Sequence, residues 1–263
     1  MKKEFDHVKR YLTWRLRAKQ IGDIDDDFVF DLVSILRKKR VSHHCLRYDR
    51  YVSRLKKSKR IIETVDFGAG AGGKDYQTKK IKLGKLVKQR SHNFKQLHLL
   101  YRLAEHFIPK TILELGTAVG VSTVYLKKSI PDSRMVTIEG CEALAGRAKR
   151  VLKDLRVYNT EVVVGNFDTT LPEVLKTFDK LDMVFFDGNH RKEPTLDYFN
   201  LCYPLAHQDS VFIFDDIHWS KEMEEAWKEI QNDSRVTLTV DLFWFGLVFF
   251  NKDLKKQNVP VVV

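Results

Sequence analysis

The chain has 263 residues, of which 43% are hydrophobic and 31% charged, and a formal net charge of +11. It can bury one large α/β core, or a smaller one with an appendage, which excludes a disordered, collagen-like or coiled-coil protein. No apolar run approaches the ~20 residues that span a bilayer, and the charged start MKKEFDHVKR lacks the apolar stretch of a signal peptide.

The charge is unevenly spread. Residues 1–110 hold 28 Lys and Arg against 12 Asp and Glu, whereas residues 111–263 hold 18 against 23. A basic front suggests nucleic acid, an anionic membrane surface or an acidic partner, or simply a solvated face. Cys45, Cys141 and Cys202 are odd in number and far apart, which favours reduced thiols in the cytoplasm over a disulfide framework or a zinc site.

In chain order, Phe5–Lys19 and Phe28–Arg40 place apolar residues near helical spacing among Lys and Arg. Residues 41–93 carry the basic runs Lys56–Arg60 and Lys79–Lys80. Between them lies Gly68-Ala69-Gly70-Ala71-Gly72-Gly73-Lys74, which has P-loop spacing. The next residue is Asp75, however, where a hydroxyl should hold Mg²⁺, so a flexible loop is the better reading. Phe94–Phe107 is an amphipathic helix. Five short apolar runs follow: Thr111–Leu115, Met135–Glu139, Glu161–Gly165, Leu181–Asp187 and Ser210–Asp215. They alternate with segments of helical length at Ser122–Ser129, Glu142–Leu155, Pro172–Phe178, Pro194–Cys202 and Lys221–Gln231. Such runs suit strands buried on both faces of a parallel, doubly wound α/β sheet. Ser220 suits the N-cap of the last helix, and Pro172 suits a first helical turn. Val236–Phe243 and Leu247–Asn251 are so close that they must pair as a hairpin, ending the sheet with one antiparallel strand. The expected organisation is a seven-stranded, mostly parallel domain over residues 94–263, preceded by a basic, mainly helical extension over residues 1–93.

The first two strand ends form a candidate nucleoside site. Glu114-Leu115-Gly116-Thr117-Ala118-Val119-Gly120-Val121-Ser122-Thr123 turns from the first core strand into a helix. Gly116 and Gly120 allow close backbone approach to a ligand, and Ser122 or Thr123 can start the helix. Glu139 ends the second strand, placed to accept the ribose hydroxyls of an adenosine. The glycine spacing is G-x-x-x-G, which counts against a dinucleotide pyrophosphate.

ELGTAVGVST, the acid of VTIEG, FDG after LDMVF and DD after VFIF stand in order on successive strand ends. This pattern resembles the class I S-adenosylmethionine-dependent methyltransferases, in the branch of catechol, caffeoyl-coenzyme A and macrolide-sugar O-methyltransferases, over about residues 94–251. The resemblance implies S-adenosylmethionine (SAM) as cofactor. Glu114, Gly116 and Ser122 would line its methionine part, with Thr117, Ala118 and Gly120 in the same loop. Glu139 and Gly140 would hold the ribose, Phe167 and Asp168 flank the adenine, and Asp187 belongs to the cofactor site as well.

Asp187, Asp215 and Asp216 end the fourth and fifth strands, and carboxylates converging there repel unless a cation joins them. By the resemblance they hold a divalent metal, with Mg²⁺ suited to oxygen ligands. A lysine serves as general base in catechol-type relatives at the offset that His190 occupies here. Asn189 cannot take a proton, so His190 is the leading candidate base, with His218 the second. The expected reaction is metal-assisted O-methylation of a hydroxyl on a small molecule or sugar. An RNA ribose methyltransferase and a non-catalytic binding module are the alternatives. A homodimer, nucleic acid or an anionic membrane are open partners for residues 1–93, with the protein cytoplasmic or peripheral to the membrane.

Overall fold

A computed structural model describes residues 2–38, 42–65 and 78–263, with side chains from residue 6 onward. The glycine-rich Gly68–Lys74 lies outside the described residues. Helices α1 to α5 span Lys2–Arg17, Asp27–Leu36, His43–Leu55, Leu83–Arg90 and Phe94–Phe107, with strands β1 (Ile61–Val65) and β2 (Thr78–Lys82) between α3 and α4. Then come β3 (Thr111–Leu115), α6 (Val121–Ser129), β4 (Arg134–Glu139), α7 (Glu142–Asp154), β5 (Thr160–Val164) and α8 (Phe167–Leu175). They are followed by β6 (Met183–Phe186), α9 (Lys192–Cys202), β7 (Val211–Asp215), α10 (Lys221–Asn232), β8 (Leu238–Asp241), β9 (Phe245–Phe249) and β10 (Gln257–Pro260).

The central sheet has eight strands in the order β10-β8-β9-β7-β6-β3-β4-β5. β9 runs antiparallel to both β7 and β8, whereas β3–β4, β4–β5, β6–β7 and β8–β10 are parallel pairs. The mostly parallel α/β sheet and its closing antiparallel hairpin are as the sequence implies. The eighth strand, β10, is an addition: Gln257–Pro260 shows no apolar alternation, and its pairing with β8 is invisible to periodicity. The antiparallel ribbon of β1 and β2, registered Ile62↔Ile81 and Glu63↔Lys80, also adds strand to a stretch expected to be helix and loop.

One correction concerns α8. It starts at Phe167 rather than at Pro172, because Asn166 caps it by accepting the Asp168 N–H at 3.1 Å. Pro172 therefore sits inside the helix, where it forgoes one backbone hydrogen bond. Ser220 does cap α10, accepting the Met223 N–H at 3.1 Å. The three cysteines are free thiols, all buried. Among the described residues no helix is long and apolar enough to cross a membrane.

The chain divides into two compact units. In residues 38–177, one core gathers Tyr48 and Val52 of α3, Leu86 of α4, Leu97 of α5, Tyr125 of α6 and Leu144 of α7. Residues 38–93 thus share their core with the helices that flank β3 and β4. In the unit of residues 1–37 and 178–263, Trp14 of α1 is buried against Phe243, and its Nε1 donates to the Asp241 carbonyl at 3.4 Å. Gly246 of β9 lies under the buried ring of Trp227 from α10; a Cβ added there would stand 2.6 Å from that ring. Overpacking of this kind costs about 1–3 kcal/mol, so Gly246→Ala should lower unfolding stability by that much in urea titrations.

Candidate functional site

In the unit of residues 38–177, β3 hands the chain to a turn that only particular backbones can make. Gly116 (φ 106°), Ala118 (φ 45°) and Gly120 (φ 80°) all have positive φ, which glycine adopts freely and alanine rarely. The Gly116 and Thr117 N–H groups donate to the Ile138 carbonyl of β4 at 3.0 and 3.3 Å. Gly120 precedes α6 as its N-cap, and a Cβ there would come within 3.2 Å of Ala148 Cβ.

Ser122 and Thr123 do not start the helix, contrary to expectation, because both hydroxyls are committed elsewhere. Ser122 Oγ donates to Glu114 Oε1 at 2.6 Å, and Thr123 Oγ1 to Oε2 at 2.5 Å; Thr137 Oγ1 of β4 also donates to Oε2, at 2.7 Å. Glu114 has no exposed surface. Burial raises its carboxyl pKa, against the pull of the three hydroxyls and the His92 charge. Glu114 and Ser122 thus support the turn from beneath.

Glu139, at the end of β4, reaches across to the same turn. Its Oε2 accepts the Ala118 N–H at 2.8 Å and its Oε1 the Cys141 N–H at 2.9 Å. Each oxygen keeps a further lone pair for a ligand hydroxyl. Burial raises the Glu139 pKa, opposed by these two backbone bonds and by the charge of Arg90. The Glu139 carbonyl also accepts the Gly165 N–H at 3.0 Å, tying it to the end of β5, after which half-buried Phe167 and exposed Asp168 open α8. The structure therefore groups Gly116, Thr117, Ala118, Gly120, Glu139 and Gly140 around one turn. Arg90 and His92, which act electrostatically on Glu139 and Glu114, escaped the sequence reading: residues 41–93 carry no strand–helix alternation to place them.

The second group lies in the unit of residues 1–37 and 178–263. Asp187 follows β6, and Asp215 ends β7 with Asp216 next to it. Asn189 (φ 68°), His190 (φ 27°) and Asp216 (φ 55°) have positive φ, a costly conformation for such residues and one that clusters at functional sites. Ligand atoms of His190, Asp215 and Asp216 lie within 4.8 Å of one another, as do those of Asp187 and Asp215. His190 Nε2 is 3.7 Å from Asp187 Oδ1. Asp187 and Asp216 each lie beside Asp215, and such carboxylates offer hard oxygen donors of the kind that fit a divalent cation such as Mg²⁺ or Mn²⁺, with the His190 imidazole next to them. Asn189 is held by side-chain bonds, donating to the Tyr198 hydroxyl at 3.0 Å and accepting from Arg191 Nε at 2.8 Å.

His218 has a different setting. Its Nδ1 pairs with Glu224 Oε1 at 3.0 Å and its Nε2 with Asp241 Oδ2 at 2.9 Å, while the ring stacks on Phe243 at 5.1 Å. Burial pulls its pKa down, but the hydrogen bonds and charges of Asp241 and Glu224 outweigh it and raise the value to about 9. A ring with both nitrogens engaged by carboxylates suits a structural imidazolium, which favours His190 as the candidate base. Because the folded pKa exceeds the ordinary value of 6.5, its stabilisation is complete below about pH 6.5 and disappears as pH rises through about 9. Urea unfolding should show roughly 2–3 kcal/mol lost over that window, and His218→Gln should remove that slope.

A family model described as a methyltransferase domain matches residues 113–217, the stretch that holds both groups of residues. A curated catechol O-methyltransferase from Niastella koreensis is 27% identical over 126 residues, 47% of this chain and 55% of that protein. The uncharacterized protein R132 of Acanthamoeba polyphaga mimivirus is 25% identical over 148 residues, 52% of this chain and 66% of that protein. The chain thus covers less than two thirds of the length of either relative. Among solved structures, the SAH-bound methyltransferase PaMTH1 of Podospora anserina superposes with a TM-score of 0.59, covering 86% of this chain and 97% of that one at 12% identity. The fold is that of the class I methyltransferases, as the motifs implied.

Proposed function

We propose, for a chain whose residues 113–217 carry a methyltransferase domain, transfer of the SAM methyl group to a substrate hydroxyl with help from a divalent cation. The observation that carries the reading is Glu139: a buried carboxylate that fixes the glycine turn through the Ala118 N–H and still offers lone pairs at the end of β4. In an open α/β sheet the carboxyl ends of the strands form the ligand crevice, and an acid there takes ribose hydroxyls. The solved O-methyltransferase TomG of Streptomyces achromogenes, which has the same fold, is in complex with SAM.

SAM supplies an electrophilic methyl group. Gly116, Ala118 and Gly120 admit its methionine part to close backbone contact, Glu139 and Gly140 orient the ribose, and Phe167 and Asp168 border the adenine. Asp187, Asp215 and Asp216 would hold the cation, which when bound supplies Lewis acidity toward the substrate oxygen. His190 takes the hydroxyl proton at a ring nitrogen, with Asp187 beside it to stabilise the imidazolium formed. The protein's share of catalysis is then chiefly alignment and exclusion of water. The acceptor is a small molecule or a sugar carrying a hydroxyl.

Calorimetric titration should show SAM binding that weakens at least about tenfold in Glu139→Ala, since two charge-assisted contacts and the turn geometry go with the carboxylate. With 3,4-dihydroxybenzoate as acceptor probe and Mg²⁺ present, release of S-adenosylhomocysteine should be measurable and should stop on chelation. His190→Ala should lower turnover by about 10²–10⁴-fold while leaving SAM affinity within about twofold. Loss of SAM affinity in His190→Ala with turnover intact would reject its role as base.

A further inference from the structure

Most of the molecule's positive charge is concentrated in one of its two compact units. The unit of residues 38–177 holds 29 Lys and Arg against 13 Asp and Glu, whereas the rest of the chain holds 17 against 22. Within that unit the imbalance is greatest between Arg54 and Lys95, where Glu63 is the sole acid among the described residues. Glu63 pairs with Lys80 of the facing strand at 3.1 Å, and both side chains are more than half exposed.

These cations are carried on one hydrogen-bonded motif. The link from α3 to β1 contains Lys57, Lys59 and Arg60, all exposed. It is bonded to the start of α4: the Leu83 N–H donates to the Arg60 carbonyl at 2.7 Å, and the Gly84 N–H to the Ser58 carbonyl at 3.0 Å. The approach leaves no room for a side chain at Gly84, where a Cβ would stand 2.6 Å from the Lys56 carbonyl oxygen. β2 runs directly into α4, so exposed Lys79 and Lys82 continue into Lys85 and Lys88, which share one face of the helix at i and i+3. α7, packed against β1, adds exposed Lys149, Arg150 and Lys153.

Concentrating like charge costs free energy through self-repulsion, and nothing in the fold of this motif requires lysine at those exposed positions. We propose that the link, ribbon and α4 form a docking surface for the phosphodiester backbone of nucleic acid. A duplex presents one negative charge per ~1.7 Å of axis, and Lys and Arg on it read no sequence. The side chains on the patch favour this occupant over a bilayer. Peripheral membrane helices combine bases with a stripe of apolar groups that insert, whereas from Arg54 to Lys95 Ile61 is the one large apolar side chain exposed among the described residues. Exposed aromatic rings for stacking on unpaired bases are likewise absent there among the described residues, so backbone contact governs rather than base readout. The surface is independent of the methyl-transfer reading, since no residue of the patch is assigned to SAM, metal or proton transfer.

The test is fluorescence anisotropy of the full-length protein with a labelled DNA duplex and the RNA duplex of the same sequence, each about 20 base pairs. Titrations run from about 50 to about 200 mM KCl. Binding should weaken by about 10³-fold across that range, and the logarithmic salt slope should flatten by about 3 in a Lys79→Gln, Lys82→Gln, Lys85→Gln, Lys88→Gln variant. A control with Lys221, Lys228, Lys252 and Lys255 each changed to Gln, all exposed and outside the patch, should bind as wild type. Circular dichroism melting and SAM titration check that both variants are folded. The DNA and RNA arms identify which backbone is preferred. Absence of duplex binding at low salt, equal loss in both variants, or binding to phosphatidylserine vesicles in place of duplex would each overturn the proposal.

Discussion

One buried carboxylate organises the candidate cofactor site. Glu139 accepts the Ala118 N–H on one oxygen and the Cys141 N–H on the other, so the turn after β3 and the entry to α7 are both referred to the end of β4. Hydrogen bonds to an ionised acceptor are stronger than neutral ones, and the turn they hold needs that strength. Ala118 is kept at φ 45° between two glycines of positive φ, and a turn so bent stays open for close ligand approach only while its backbone donors are anchored. In the proposed reading the same carboxylate meets the ribose, so losing it would damage both the geometry and the binding.

The anchor has an electrostatic cost. Glu114 lies fully buried beneath the same turn, and its like charge adds to the desolvation that raises the Glu139 pKa. Three hydroxyls from Ser122, Thr123 and Thr137 solvate Glu114 in place of water, while His92 and Arg90 oppose the negative potential. A bound sulfonium would do the same from the ligand side. In the other unit the pattern recurs with a different remedy: Asp187, Asp215 and Asp216 are gathered with His190, and the donor set suits a cation. There the backbone at Asn189, His190 and Asp216 is held in an uncommon conformation, a local strain tolerated where it aims functional groups.

Much of this was legible in the sequence, and the parts that were not have identifiable physical reasons. Buried parallel strands read as unbroken apolar runs, so β3 and the strand ends at Glu139, Asp187 and Asp215 could be located from composition alone. A hydroxyl's partner cannot be read that way. Ser122 and Thr123 look like helix starters, and only the fold shows that Glu114 claims them. His190 leads His218 as candidate base on its offset from Asp187, and only the fold shows that His218 is held between Asp241 and Glu224. β10 went unseen because its pairing with β8 is tertiary, and Pro172 misled because Asn166 offered the better cap six residues before the run of helix it was thought to open. In residues 41–93 neither period dominates, which concealed both the ribbon and the proximity of Arg90 and His92 to the cofactor turn.

The central claim is that Glu139 holds the ribose of a SAM-type ligand without giving up its two backbone partners. A crystal structure of the protein grown with S-adenosylhomocysteine tests it most directly. The account predicts ribose hydroxyls within hydrogen-bond distance of Glu139, with the Ala118 and Cys141 N–H bonds intact. A nucleoside bound elsewhere, or a Glu139 swung away from the turn to meet it, would contradict it.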